Sequence, residues 1–445
     1  MDIAQRLSQW FLRSFPSERA VRLGDWSRRL ATLVGALLIA LIALAFAGAG
    51  DWMHALFGAL RRWDWRLPLI VTPLLFVALA WLTARIAPEA RGSGIPQVIA
   101  ASRDPEGRHE SGLVSLRVGL AKIALTVGAL LGGASVGREG PTVQLGAAIM
   151  VQTHRLFRVR VTPGVLIAGG AAGVAAAFNT PLAGIAFAIE ELAVAYEQKL
   201  AVMVMGAVMI AGLASQGIAG DYVYFGHVGA HLPLRSVVLA APLAGIAGGL
   251  AGGLFSRLLL ASRGPGGKWK ALLGRRPLVT ALVCGAIVAL LGVASGGSTW
   301  GTGYEPTRGM LTGGDASIWF GPAKFIATLA TSVSGIPGGI FAPSLAVGAG
   351  FGNLIALAFP PEEAGAIVLL GMAGYFVGVV RAPFTAVIIL AETTSSTGMI
   401  LPLFATALIG DWAGGLVCRT RLYHALAGDF APPAAAPEGS DKDPS

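Results

Sequence analysis

Charge is scarce in this chain. Asp, Glu, Lys and Arg make up 13% of its 445 residues, against about 25% in an ordinary soluble protein. So few charged groups cannot clothe a water-facing surface of this size. Cysteine is scarcer still: only Cys284 and Cys418 are present, both inside apolar runs. They offer no disulfide framework and no thiolate metal site. Strict alternation of polar and apolar residues is missing too, which argues against a membrane β-barrel. Residues 1–30 are amphipathic and Arg-rich with no apolar centre, so no cleavable signal peptide is expected. No nucleotide-binding, metal-binding or nucleophile motif stands out. Neither an enzyme nor a cofactor is expected, and lone histidines such as His109 and His227 fall in loops.

What is present is apolar. The composition is 54% hydrophobic with a mean hydropathy of +0.69, and apolar runs long enough to cross a bilayer recur from Ala31 onward. That pattern predicts an all-α polytopic membrane protein. The 62 glycines suit close helix packing and repeated helix interruption. The net charge of +9 is concentrated in the N-terminal segment and in short loops, where it serves topology and lipid headgroups rather than nucleic acid.

The chain divides into a cytoplasmic interfacial helix (1–30), a first transmembrane repeat (31–218), a connecting loop (219–234), a second repeat (235–430) and a Pro/Ala-rich tail expected to be disordered (431–445). The interfacial helix interleaves Arg6, Arg13, Arg19 and Arg22 with Trp10, Phe11, Phe15 and Trp26. Spans are expected at about Ala31–Ala49 and Leu67–Ile86, with Arg61–Arg66 as a basic, Trp-rich loop between them. That loop runs against the positive-inside tendency, whereas the basic loop Arg263–Arg276 fits a cytoplasmic face.

One stretch stands apart. Gly137-Arg138-Glu139-Gly140-Pro141 places an acid and a base between two apolar runs. Charge at that depth costs about 3 kcal/mol unless it is paired or serves a pathway. Flanking glycines let the backbone break, and proline suits the first turn of a helix. The stretch reads as a broken helix whose free N–H groups face an anion, with Glu139 at the same point. The bland alternative is a salt bridge between Arg138 and Glu139, but sequence neighbours do not face each other on a helix.

The chain also repeats itself. A slide of 202 residues brings Pro141 onto Pro343, Lys122 onto Lys324, Gly133 onto Gly335, Gly137 onto Gly339, Pro181 onto Pro383 and Glu190 onto Glu392. No gap is needed across this stretch. Repeated halves in a membrane protein point to a transporter whose site lies at the midplane, where broken helices meet. The repeat separates scaffold from chemistry. Glu190 and Glu392 share a position and read as structural carboxylates, at helix ends or at an interface. Glu139 aligns with Phe341 and Glu191 with Thr393, so these two acids have no counterpart and are candidates for a directional task. Lys122 and Lys324 sit in apolar surroundings with no partner legible from the sequence.

Four motifs now stand in order: Gly92–Pro96 (GSGIP), Gly137–Pro141 (GREGP), Gly339–Pro343 (GIFAP) and Leu422-Tyr423. Together they resemble the CLC family of chloride channels and chloride/proton antiporters, over about residues 28 to 428. The resemblance implies a homodimer with a separate pathway in each subunit, each built from two inverted halves. It implies that Ser93 and Tyr423 offer hydroxyls to a central anion and that Ile340 and Phe341 offer backbone N–H groups. It implies that Glu139 is a gating glutamate that occupies an anion site until protonated, and that Glu191 is the inner glutamate that carries protons. Serine in the first motif favours chloride. Bland readings remain beside these: Ser93 as a turn cap, Tyr423 as an interfacial anchor, Phe341 as packing and Glu191 as a helix-end acid. The expectation is a chloride/proton antiporter of a prokaryotic plasma membrane, in contact with chloride, protons and lipids. The alternative is a passive chloride channel on the same scaffold.

Overall fold

A computed structural model of the chain describes residues 18–430, apart from 104–109, 194–197, 221, 230, 265 and 315. The first part of the expected interfacial helix, most of the polar loop after Arg103 and the tail from 431 lie outside the described residues. Among the described residues every regular element is a helix. The long ones are α1 (Glu18–Trp63), α2 (Leu67–Ile86), α3 (Ile95–Ser102), α4 (Leu116–Leu131), α5 (Glu139–Leu156), α6 (Pro163–Phe178), α7 (Pro181–Phe187) and α8 (Gln198–Ala219). The second half holds α9 (Leu234–Arg263), α10 (Pro277–Ala294), α11 (Phe320–Ser334), α12 (Phe341–Ala356), α13 (Ala364–Val380), α14 (Pro383–Thr394), α15 (Ile400–Val417) and the short α16 (Leu422–Ala427). Seven helices among the described residues are long and apolar enough to cross a membrane, while α6, α12 and α14 are apolar but shorter.

The N-terminal expectation needs correction. No break separates an interfacial helix from the first span at residue 30. Helix α1 runs unbroken from Glu18 to Trp63. No proline interrupts the sequence there, and the Thr32 hydroxyl bonds back to the Arg28 carbonyl at 3.0 Å, a local bond that a continuing helix accommodates. The expected basic loop shrinks accordingly, because Arg61 and Arg62 close the last turn of α1, where cations favour the negative helix end.

The repeat has a structural counterpart. Each half contains an α4-like helix, a glycine turn, an α5-like helix and a tightly packed pair. The turn glycines Gly133 and Gly335 share positive φ, +68° and +89°. After α6 and α13, Asn179 and Arg381 occupy the left-handed region at φ 59° and 65°. For arginine that conformation is costly. Its guanidinium is held by Asp411 at 2.6 Å and by the Cys418 carbonyl at 3.0 Å. Gly137 and Gly339 exchange backbone hydrogen bonds, Gly137 N–H to Gly339 O at 2.7 Å and Gly339 N–H to Gly137 O at 2.8 Å. This mutual pair, 202 residues apart, is where the two halves touch at the broken-helix starts.

The centre is α13, whose residues Ile367 to Val380 are buried throughout. Helix α9 reaches it through small residues. A side chain on Gly252 would come within 2.5 Å of the Tyr375 carbonyl, and one on Gly249 within 2.5 Å of the Gly410 carbonyl on α15. Backbones approach this closely only where Cβ is absent, the usual device of helix association in lipid.

Candidate functional site

Three chain breaks converge. The first is Gly92-Ser93-Gly94, which ends the return from α2 and starts α3. Gly92 and Gly94 take φ of +67° and +108°, open to glycine and strained for other residues. Gly94 also lies against the Gly140 carbonyl, where a Cβ would come within 2.6 Å. The second break is the start of α5 at Glu139, and the third is the start of α12 at Phe341. The Gly338 N–H donates to the Gly92 carbonyl at 3.1 Å and joins the first break to the third. The first-turn N–H groups of α5 and α12 are left without intrahelical acceptors, as at any helix start, and favour negative charge.

Ser93 and Tyr423 are 8% and 0% exposed. The Ser93 and Tyr423 hydroxyls face each other, and neither makes a close hydrogen bond to any other group among the described residues. Both residues line a cavity of about 310 Å³ together with Ile340. Buried hydroxyls almost always have their hydrogen-bonding capacity met, so two on one cavity with no partner beyond each other leave room for a polar occupant. The lining also includes Arg91, Arg263, Lys270 and Asp429, and Lys270 is paired with Asp429 at 2.6 Å. Phe341 is buried among aromatic rings, 4.5 Å from Phe376 and 5.6 Å from Phe178 between centroids. Its side chain packs, which leaves its backbone as the part available to a ligand.

Glu139 is 1% exposed, and its carboxylate faces the backbone N–H groups of Ala342 and of Glu139 itself, with no side-chain hydrogen-bond partner among the described residues. Its Oε2 lies against Gly137, in space that a Cβ there would fill, and the same point is 3.3 Å from the Ala342 N atom. The acid therefore folds towards the first turn of α12. Arg138 does not pair with it. The Arg138 guanidinium donates to Asp51 on α1 at 3.0 Å and to the Ala47 carbonyl at 3.0 Å, which removes the bland reading of Glu139.

Glu191 lies on a single π-helical turn, Ala188–Leu192, that extends α7. Such turns reorient side chains and recur at functional sites. Glu191 is 0% exposed, and neither oxygen has a hydrogen-bond partner. His424 on α16 brings its Nε2 to 3.6 Å from Glu191 Oε1. Sequence reasoning did not single out His424. Its position directly after Tyr423 was the only available signal. At the matching place in the other half α14 stays α-helical to Thr394, and Thr393 bonds back to the Ile389 carbonyl at 2.6 Å.

The two buried lysines differ. Lys324 Nζ donates to the Thr299 and Gly301 carbonyls at 2.9 and 2.7 Å. Lys122 Nζ has no partner among the described residues.

Known proteins with this arrangement are consistent among themselves. The family model described as voltage gated chloride channel matches residues 74–415. A relative named H(+)/Cl(-) exchange transporter ClcA from Yersinia pestis is 33% identical over 423 residues, covering 87% of this chain and 84% of its own. A relative of the same name from Vibrio cholerae is 32% identical over 418 residues, covering 89% and 87%. Among solved structures, a slow cyanobacterial Cl-/H+ antiporter aligns with a TM-score of 0.78 at 24% identity, over 91% of this chain and 97% of that one. A CLC-type fluoride/proton antiporter aligns with a TM-score of 0.75 at 22% identity, over 93% and 99%.

Proposed function

The chain belongs to the family of voltage gated chloride channels, and from that premise we propose that it is a multi-pass inner-membrane antiporter exchanging chloride against protons. The single observation that carries this reading is the pair of buried carboxylates, Glu139 and Glu191, each present in only one repeat and neither in an ion pair with an arginine or lysine among the described residues. A passive pore needs no second buried acid. The exchanger names of the relatives support the same choice.

Chloride in a low-dielectric interior must be held by donors that carry little full charge, or it would not leave. The Ser93 and Tyr423 hydroxyls and the N–H groups of Ile340 and Phe341 supply such donors at a helix start. The Glu139 carboxylate mimics the anion and competes for the same positive end of α12. Protonation cancels its charge, so the carboxyl leaves and chloride takes its place. Deprotonation reverses the exchange. Glu191 holds the proton on its way to or from the opposite face.

The cavity is lined in part by Arg263 and Lys270, both within the basic stretch Arg263–Arg276. We assign that face to the cytoplasm by the positive-inside tendency. The family resemblance implies a homodimer in which each subunit carries its own pathway.

The test is proton movement in liposomes containing the protein under an imposed chloride gradient, with no proton gradient. Uphill proton flux in wild type, abolished in Glu191→Gln and in Glu139→Ala while chloride flux persists, supports exchange through these two acids. Chloride flux without proton movement in wild type would leave a passive channel.

A further inference from the structure

Glu191 has a supply problem. It is wholly buried, yet a proton carrier must exchange its proton with water. The neighbouring acid cannot serve, because Glu190 is committed. Its Oε1 accepts from the Phe384 N–H at 3.1 Å and its Oε2 from the Thr385 N–H at 2.6 Å.

His424 offers the other connection. Its side chain is 23% exposed, against 0% for Glu191, and its Nε2 faces Glu191 Oε1 at 3.6 Å. We propose that His424 is the residue through which Glu191 exchanges its proton with cytoplasmic water. This rests on the antiport reading above.

The ring's other side sets its state. Nδ1 of His424 meets the Arg103 guanidinium at the end of α3. Arginine only donates, so Nδ1 presents its lone pair there and the neutral ring carries its hydrogen on Nε2, towards Glu191. The charged groups around the pair are Arg103, Arg421, Glu190 and Glu191. Arg421 donates to the Glu190 carbonyl at 3.2 Å. Burial first, and then the two guanidiniums, disfavour a standing positive charge on the imidazole, against a smaller opposing pull from the Glu191 backbone carbonyl, so the ring holds an extra proton only in passing. Arg103 is exposed at the protein surface, and proton entry requires it to leave Nδ1.

The transfer then balances. With Arg103 withdrawn, a hydronium ion gives its proton to Nδ1 and leaves as water. The Nε2–H bond breaks as an O–H bond forms on Glu191 Oε1, after a closing movement of about half an ångström to hydrogen-bond range. The ring is left neutral with its hydrogen on Nδ1, and exchange with water restores the starting tautomer. Protons leaving Glu191 follow the reverse order.

The test uses the full chain in liposomes, with proton and chloride fluxes recorded together at several values of cytoplasmic-side pH. His424→Gln keeps a polar side chain that cannot carry a proton. We expect it to lower chloride-driven proton flux by about tenfold or more, with chloride flux within about a factor of two of wild type, and with the cytoplasmic pH dependence flattened. Retained chloride flux also reports an intact fold. His424→Asn should behave alike, and free imidazole in the cytoplasmic-side buffer should restore part of the proton flux in either variant. A residue that only packs would give neither the flattened profile nor the rescue. Coupled wild type with an unchanged proton-to-chloride ratio in His424→Gln overturns this assignment alone. Lost proton flux without imidazole rescue in both variants also overturns it. Wild type that moves chloride but no protons overturns the antiport reading, and this assignment falls with it.

Discussion

Glu190 and Glu392 each close the helix start of the opposite repeat. Glu190 accepts from the Phe384 and Thr385 N–H groups at the beginning of α14, at 3.1 and 2.6 Å. Glu392 accepts from the Leu182 and Ala183 N–H groups at the beginning of α7, at 3.1 and 2.7 Å. The donors, like the acceptors, are 202 residues apart. Each acid satisfies two of the orphan donors that a helix start leaves and sits at the positive end of the helix dipole. The structural role that the repeat assigned to this pair therefore has its atoms.

Removing either acid strands two backbone donors. Glu190→Ala and Glu392→Ala should each lower stability by about 1–3 kcal/mol, seen as an earlier thermal unfolding transition in detergent. Proton coupling should survive in whatever fraction remains folded. Unchanged stability together with lost coupling in Glu190→Ala would instead put Glu190 on the proton route.

Gly137 is the wall against which the Glu139 carboxylate rests. A methyl group there occupies the carboxylate's place. Gly137→Ala is expected to push the acid away from α12 and leave chloride flux less sensitive to pH, as Glu139→Gln would. The reading is a pH series of chloride efflux from liposomes. A pH dependence as steep as in wild type would mean that the carboxylate does not gate from this position.

The hydroxyls of Ser93 and Tyr423 should matter to the anion itself. Ser93→Ala and Tyr423→Phe each remove one donor to a charged ligand. Chloride affinity by titration calorimetry should fall by about tenfold for each, which corresponds to about 1.4 kcal/mol. The helix-start N–H groups remain, so binding should weaken rather than vanish. Unchanged affinity in both variants would move the anion away from this cavity.

The buried lysines should respond in opposite senses. Lys324→Met takes the donor from the Thr299 and Gly301 carbonyls and should cost about 1–3 kcal/mol. Lys122→Met removes a buried amine that has no partner among the described residues. It should be neutral or stabilising, because apolar replacement relieves an unmet desolvation cost. Thermal unfolding of the two variants side by side decides it, and equal losses would contradict the difference in partners.

Local signals carried much of this protein. Long apolar runs place the spans, since a bilayer demands a fixed length of apolar helix whatever else surrounds it. Glycine and proline in GSGIP, GREGP and GIFAP mark the breaks, because positive φ and a missing N–H are properties of single residues. The internal repeat told Glu190 and Glu392 apart from Glu139 and Glu191 before any contact was known. The N-terminal boundary was misjudged for the same reason: polarity changes near residue 30, but nothing in the local sequence stops the helix.

Partners were another matter. That Arg138 bonds to Asp51 rather than Glu139, that Lys324 reaches the Thr299 and Gly301 carbonyls while Lys122 meets no partner among the described residues, and that His424 faces Glu191 are decided by helices far apart in the chain. So is the π turn that carries Glu191, where α14 at the matching place stays regular. The sequence by itself determined the class of protein, its spans, its breaks and the acids that stand alone. Only the tertiary structure decided which groups meet, because hydrogen bonds and charges act over a few ångströms and the folded packing brings those atoms within reach.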